Sequence, residues 1–234
     1  MTESNAKLKS ENSDKIFDYP SKPESSELES AHNLINYGIE SVNQLWNAYK
    51  KITKQRGKGA PLHTDQDILR AMLVMSGAAL DASIKSIVKD SLHEVIKVNE
   101  KARDRVKSQI HTLFLKKIQE KREGEAIAEA LISNHPDEML IDQIIEYATG
   151  GSLQSIDQLC SISDLFGIDK PANINDFKNT FQARNQIIHE MDAVDDKYRR
   201  RRQRKKDDMK RHAIKLLEVS CWFVEQVDVC LKKR

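Results

Sequence analysis

The chain has 234 residues and a mass of 26.8 kDa, with 39% hydrophobic and 32% charged residues and a formal net charge of +2. Its eight Gly and five Pro fall far short of the roughly 12% these turn-formers reach in average proteins. An all-β sandwich or barrel, which needs frequent turns, is thereby excluded, and an all-α fold is expected, large enough to bury a core without metal or disulfide staples.

Residues 1–26, rich in Ser, Glu, Lys and Asn, read as a flexible polar tail, and residues 27–234 as one helical domain. Ser26-Glu27-Leu28-Glu29 has the form of a capping box and opens a helix whose apolar positions Ile35, Ile39, Val42, Leu45, Trp46, Tyr49 and Ile52 recur at three and four. The stretch QRGKGAP ends it. Thr64-Asp65-Gln66-Asp67 caps a second helix, whose stripe Leu69, Met72, Leu73, Ser76, Leu80, Ile84, Ile87, Leu92, Val95 and Ile96 is sustained for about thirty residues around a centre, SGAALDAS, whose small residues let another helix approach closely. From 100 to 163 the spacing predicts a variable helical insert of three or four shorter helices, broken at Gly124, Asn134-His135-Pro136 and Gly150-Gly151. After a turn at Leu165–Pro171, Asn173 caps a helix to about Asp192. A last helix is expected over roughly 196–232, apolar on two adjoining faces in its C-terminal half. No run approaches the roughly 20 consecutive apolar residues of a membrane span. The opening MTESNAKLKSEN lacks the apolar core of a secretory signal, so a soluble cytoplasmic protein with no membrane partner is expected.

Cys160, Cys221 and Cys230 form no C-x-x-C pair and read as reduced core residues. The positive charge is local: KYRRRRQRKK, Lys197–Lys206, holds eight Lys or Arg in ten positions. Placed on a helix it is basic all round. It is either a solvated charge run or a backbone-binding element that steers RNA through Arg199, Arg200, Arg201, Arg202, Arg204, Lys205 and Lys206. There is no phosphate loop, no G-x-G-x-x-G, no H-E-x-x-H and no G-x-S-x-G elbow.

In the segment before that run, Ile174, Phe177, Phe181, Ile188 and Met191 form one stripe at 100° per residue, and Arg184 falls inside it. A guanidinium there needs an acidic partner or an anion from a cleft or interface. Asp81, among small and apolar residues, is the first candidate, either as a plain structural partner or as a group that positions Arg184 for function. Asn185 and His189, four apart at the margin of the stripe, can stack, the amide orienting the imidazole.

Arg184-Asn185-Gln186-Ile187-Ile188-His189 matches R-N-x-x-x-H, a form of the Arg-x4-His signature of HEPN domains, and FQARNQIIHE with the upstream ALDASIKSIVKD helix most resembles the RiboL-PSP branch of that family. The resemblance implies a HEPN-like bundle with long N- and C-terminal helices and a homodimer that cleaves RNA without metal or cofactor at a site shared by two protomers. Such proteins act as toxins or antiphage effectors, with an antitoxin or defence-system protein as partner. In that reading His189 exchanges protons with the ribose 2′-hydroxyl or the leaving oxygen, Arg184 stabilises the transition state, and Asn185 orients the phosphate or His189. The alternative is a non-catalytic HEPN module that binds nucleic acid or a partner protein. One branch of HEPN toxins carries a Tyr two residues after the His as its silencing site; Met191 stands there in this chain.

Overall fold

The computed structural model describes residues 15–57, 62–117, 128–130, 132–172, 174–195 and 200–233. The fold is all-α, with one two-stranded antiparallel sheet among the described residues. In chain order the elements are α1 (Glu29–Arg56), α2 (His63–Val98), α3 (Glu100–Lys117), α4 (Pro136–Thr149), α5 (Ile156–Leu165), α6 (Lys178–Glu190), β1 (Ala193–Asp195), β2 (Arg200–Arg201) and α7 (Lys206–Leu231). Short 3₁₀ turns at Ser26–Leu28 and Ile174–Phe177 precede α1 and α6.

The long helix α2 is the axis of the molecule. It packs against α1 and α7 along its length and meets α3, α4 and α6 as well. A helix enclosed on so many sides must be apolar nearly all round; Leu69, Met72, Leu73, Leu80, Ile84, Ile87, Val88, Leu92 and Val95 are all buried. One eighteen-residue window of α2 has the length and hydropathy of a bilayer-crossing segment, contrary to the expectation that no stretch would come close, and 56% of that window is buried inside the bundle. Its buried serines are satisfied within the helix: Ser76, Ser83 and Ser91 donate to the carbonyls of Leu73, Leu80 and Ile87 at 2.9, 3.1 and 2.6 Å.

The small-residue centre of α2 admits two neighbours. A Cβ placed on Gly38 of α1 would lie 2.3 Å from the Cβ of Ala79, so α1 crosses at that point only because Gly38 has no side chain. Two residues before Ala79, and so on the other side of α2, Gly77 leaves room for the stem of Arg184 on α6, whose Nε lies 3.3 Å from where a Cβ at Gly77 would be.

The insert resolves much as its breaks suggest. Pro136 stands in the first turn of α4, where a missing N–H costs nothing. Ser155 and Gln158 form a capping box at α5, with Ser155 Oγ accepting from the Gln158 N–H at 3.3 Å and Gln158 Oε1 from the Ser155 N–H at 3.1 Å. Gly167, at φ +61°, makes the turn after α5. Gly124 and Asn173 lie outside the described residues. Cys221 and Cys230 are buried, Cys160 is partly so, and all three are free; burial pushes the Cys221 thiol up to about 12.

Three expectations are corrected. The box at Ser26 does not cap α1, which begins at Glu29. The amides of Glu24 and Ser25 instead donate to the carboxylate of Asp228 on α7, at 3.4 and 2.9 Å, a partner no local pattern could announce. Within the stretch read as tail, residues 15–25 lie on the bundle. Asn43 Oδ1 accepts from the amides of Ile16 and Phe17 at 2.9 and 3.3 Å, and its Nδ2 donates to the Phe17 carbonyl at 2.9 Å. The last helix starts at Lys206 rather than near 196, and β1 and β2 pair antiparallel before it.

Burial pushes the Asp228 carboxyl up, but the Ser25 and Glu24 donors and Lys232 outweigh it and hold the group below its ordinary value of 3.8. A depressed carboxylate contributes stability above its unfolded value and loses it as pH falls through the folded one. Protection of the Ser25 and Glu24 amides against hydrogen exchange, corrected for intrinsic rates, should therefore drop as pH falls below about 4. In Asp228→Asn it should be weak at every pH.

Candidate functional site

The helix α6 runs antiparallel to α2, so that Arg184 lies over Gly77 and Asp192, just past its end, meets Arg70. Its buried face is Thr180, Phe181, Ala183, Arg184 and Ile187. The stripe therefore passes through Ile187 rather than Ile188 and Met191, which are 36% and 69% exposed. The physical reason is that α6 ends at Glu190: Met191 and Asp192 are both left-handed, at φ +50° and +61°, and the chain turns before another buried position can arise.

Arg184 is 7% exposed, as its place in the stripe requires. Its Nη1 donates to Asn185 Oδ1 at 3.0 Å, and Asn185 Nδ2 donates to the Gln154 carbonyl at 3.0 Å. Asp81 does not bridge to it directly. The Asp81 carboxylate accepts the Leu153 N–H at 2.6 Å and pairs with Lys85 at 2.9 Å. It is still near enough to matter: burial lowers the Arg184 pKa and the charge of Asp81 opposes that shift. Arg184 is thus a buried cation that, among the described residues, has an acidic neighbour but no bonded carboxylate.

His189 stands exposed in the last turn of α6. Five residues separate it from Arg184, so the two side chains leave the helix about 140° apart. Asn185 is committed to Arg184 and Gln154, so it does not orient His189 within one chain. The three motif residues are neighbours on one helix without forming one contact network. Next to His189 in the chain, Ile188 and Met191 are exposed apolar side chains, as is Val194 on β1 at 60% exposure, and Glu190 between them is an exposed acid.

The basic run is not the encircled helix expected. Within it, β2 pairs back onto β1, and the arginines divide into two sets. Arg204 donates from Nε to both Asp192 oxygens at 3.1 Å and from Nη2 to Gln186 Oε1 at 2.9 Å. Arg202 pairs with Glu190 at 3.1 Å and also reaches the Ala193 carbonyl. Arg201 pairs with Asp67 at 2.8 Å. Arg200, Lys205 and Lys206 remain exposed, while Arg199 lies outside the described residues. Beside β2 a groove is lined by His63, Val194, Arg200, Arg201, Arg202 and Gln203.

Asp192, fully buried, is the centre of this region and was not foreseen from the sequence. Arg70 Nε bonds its Oδ2 at 2.7 Å, opposite Arg204. Arg70 Nη2 also donates to the Arg202 carbonyl at 2.7 Å, and Gln66 both accepts from the Arg204 N–H at 2.6 Å and donates to its carbonyl at 3.1 Å. A usable signal existed: Gln66 and Arg70 lie four apart beside Leu69 and Leu73, polar groups on a buried face that must find partners. Among the described residues no group of His, Cys, Asp and Glu is placed to hold a metal ion.

Replacing Asp192 by Ala leaves two guanidiniums facing each other in a buried site, and breaking a buried pair in this way costs about 3–5 kcal/mol. Urea unfolding of Asp192→Ala should show a loss of that order, with a smaller loss for Asp67→Ala, whose carboxylate is half exposed.

No protein-family model matches the chain, and neither a curated protein nor a solved structure is significantly similar to it.

Proposed function

We propose that the protein is a metal-independent endoribonuclease of HEPN type, working as a homodimer with its site built around His189 and Arg184. The observation that carries this reading is the placement of His189: an exposed imidazole in the last turn of α6, with the exposed apolar side chains Ile188, Met191 and Val194 within five residues of it along the chain. Exposed apolar side chains favour burial against a second copy, and a two-fold axis at this turn would bring two His189 side chains together. In-line cleavage of RNA needs a proton acceptor at the 2′-hydroxyl and a donor at the leaving 5′-oxygen. Two imidazoles supply both and leave a 2′,3′-cyclic phosphate and a 5′-hydroxyl. Arg184, a cation without a bonded carboxylate, adds positive potential at the base of the same helix.

The substrate's backbone would be drawn in by Arg200, Lys205 and Lys206 beside the groove at β2. Arg202 and Arg204, held by Glu190 and Asp192, shape the hairpin instead. In a cell the activity would serve as a toxin or antiphage effector under the control of a partner protein. The second reading, a non-catalytic HEPN module that binds nucleic acid or protein, draws on the commitment of Asn185 to Gln154 and the divergence of Arg184 from His189 within one chain.

Cleavage of a short single-stranded RNA should proceed in EDTA and fall by about 10²–10⁴-fold in His189→Ala, the usual contribution of general acid–base catalysis. Met191→Glu should both dissociate the dimer in analytical ultracentrifugation and abolish cleavage. A magnesium-dependent activity indifferent to His189 would reject the reading, and full RNA affinity with no cleavage would favour the binding module.

Changing Arg200, Lys205 and Lys206 together to Gln should reduce the slope of log affinity against log salt by about 2, since each phosphate contact on a single strand contributes roughly 0.7. The melting temperature should stay unchanged, because these side chains hold nothing in the core.

A further inference from the structure

A cavity of about 330 Å³ opens among α2, α3, α4 and α5, at the lower end of the range of about 300–1,000 Å³ for small-molecule sites. Its wall joins the aliphatic side chains of Ile84, Ala148, Leu153, Ile162 and Leu165 to Gln109, Tyr147 and one cation, Lys85. Two of its polar side chains are already engaged. Gln158 caps the backbone of residues 152–155, accepting from the Gln154 N–H at 2.6 Å and donating to the Ser152 carbonyl at 3.2 Å, and Ser161 donates to the Asp157 carbonyl at 2.8 Å. The single positive charge of Lys85 beside five aliphatic side chains suits one negative charge on an apolar body.

The cavity also borders the R-N-x-x-x-H helix. Asp81 and Leu153, both in its wall, are joined by the 2.6 Å bond from the Leu153 N–H to Asp81 Oδ1. The next carbonyl, that of Gln154, holds Asn185, which in turn holds Arg184. Asp81 acts on Arg184 through its charge as well. Two routes thus run from the cavity wall to one guanidinium.

We propose that this cavity binds a small monocarboxylate with an apolar body, such as an aryl-substituted acetate, and that its occupancy repositions Arg184 through Asp81 and the backbone of residues 153–154. The carboxylate takes the Lys85 ammonium. The present bond of Lys85 to Asp81, 2.9 Å long and between partly exposed side chains four apart on one helix, belongs to a class of pairs that hold weakly. Released from Lys85, the carboxylate of Asp81 is free to turn toward Arg184, the cation that has none. Any effect of the ligand on RNA cleavage rests on the endoribonuclease reading; binding and the movement of Arg184 do not.

The test is a titration of the full chain with phenylacetate, followed by calorimetry and by the NMR signals of the Asn185 side-chain amide and Arg184 Nε–H. Phenylacetate should bind saturably, and both acetate, which lacks the body, and phenylacetamide, which lacks the charge, should bind at least about tenfold more weakly. Lys85→Gln should weaken phenylacetate about tenfold for the same reason, Ala148→Phe should fill the cavity and abolish binding, and the Asn185 and Arg184 signals should shift with saturation. Absence of phenylacetate binding to the wild type, or equal binding to Lys85→Gln, overturns the site; should Ala148→Phe fail to fold, Lys85→Gln, at the rim, decides alone. Tighter binding of adenosine monophosphate than of phenylacetate overturns the ligand class, and unmoved Arg184 and Asn185 signals at saturation overturn the coupling. A chain that never cleaves RNA disproves the endoribonuclease reading while leaving each of these outcomes readable.

Discussion

The C-terminal third of the molecule is arranged around one buried carboxylate. Asp192 sits fully out of water between the guanidiniums of Arg70 and Arg204. A lone charge there would be prohibitive, and two cations around it would be as bad without the anion. The three residues therefore come together or not at all. Their meeting fixes where α6 stops, because the carboxylate can reach α2 only if the chain turns through left-handed backbone at Met191 and Asp192. Backbone of that kind in residues other than Gly carries a cost on the order of 1–3 kcal/mol each, which the ion pairs offset. It also fixes where α7 begins, since Arg204 and its backbone are held by Asp192 and Gln66.

That arrangement explains why the most conspicuous feature of the sequence behaves unlike its composition. Eight cations in ten positions read as one electrostatic unit, yet neighbouring members have opposite tasks. Arg202 and Arg204 face inward to Glu190 and Asp192, and Arg200, Lys205 and Lys206 face water. The division follows from which acids lie within reach. Charge counting along a chain does not see it, because the acids involved come from α2, α6 and the turn after it.

The same distinction between local and distant causes separates what could be read in the sequence from what could not. The stripes of α1 and α2, the break at Pro136 and the close packing over SGAALDAS each depend on residues a turn or two apart, and all stand where the pattern puts them. The burial of Arg184 was legible for that reason, as a cation at an apolar phase. Its environment was not: Asp81 prefers Lys85 and the Leu153 amide, and Asn185 turns to Gln154 instead of His189. Extending the stripe to Ile188 and Met191 failed because periodicity assumes the helix continues, whereas Asp192 ends it. The first helix cap failed likewise: the chain before it is held by Asp228, which accepts the Glu24 and Ser25 amides.

That last bond has a kinetic meaning. Ser25 and Asp228 are 203 residues apart, about as non-local as a contact in this chain can be. Closing a loop of that length is opposed by chain entropy until other contacts have already brought its ends together. The clasp therefore forms after α7 has docked on α1 and α2, and on unfolding it is among the first contacts to open. The backbone at Glu24 and Ser25 reports the completion of folding rather than its nucleation, and a chain still emerging from the ribosome leaves those two amides without Asp228 until its final helix is made.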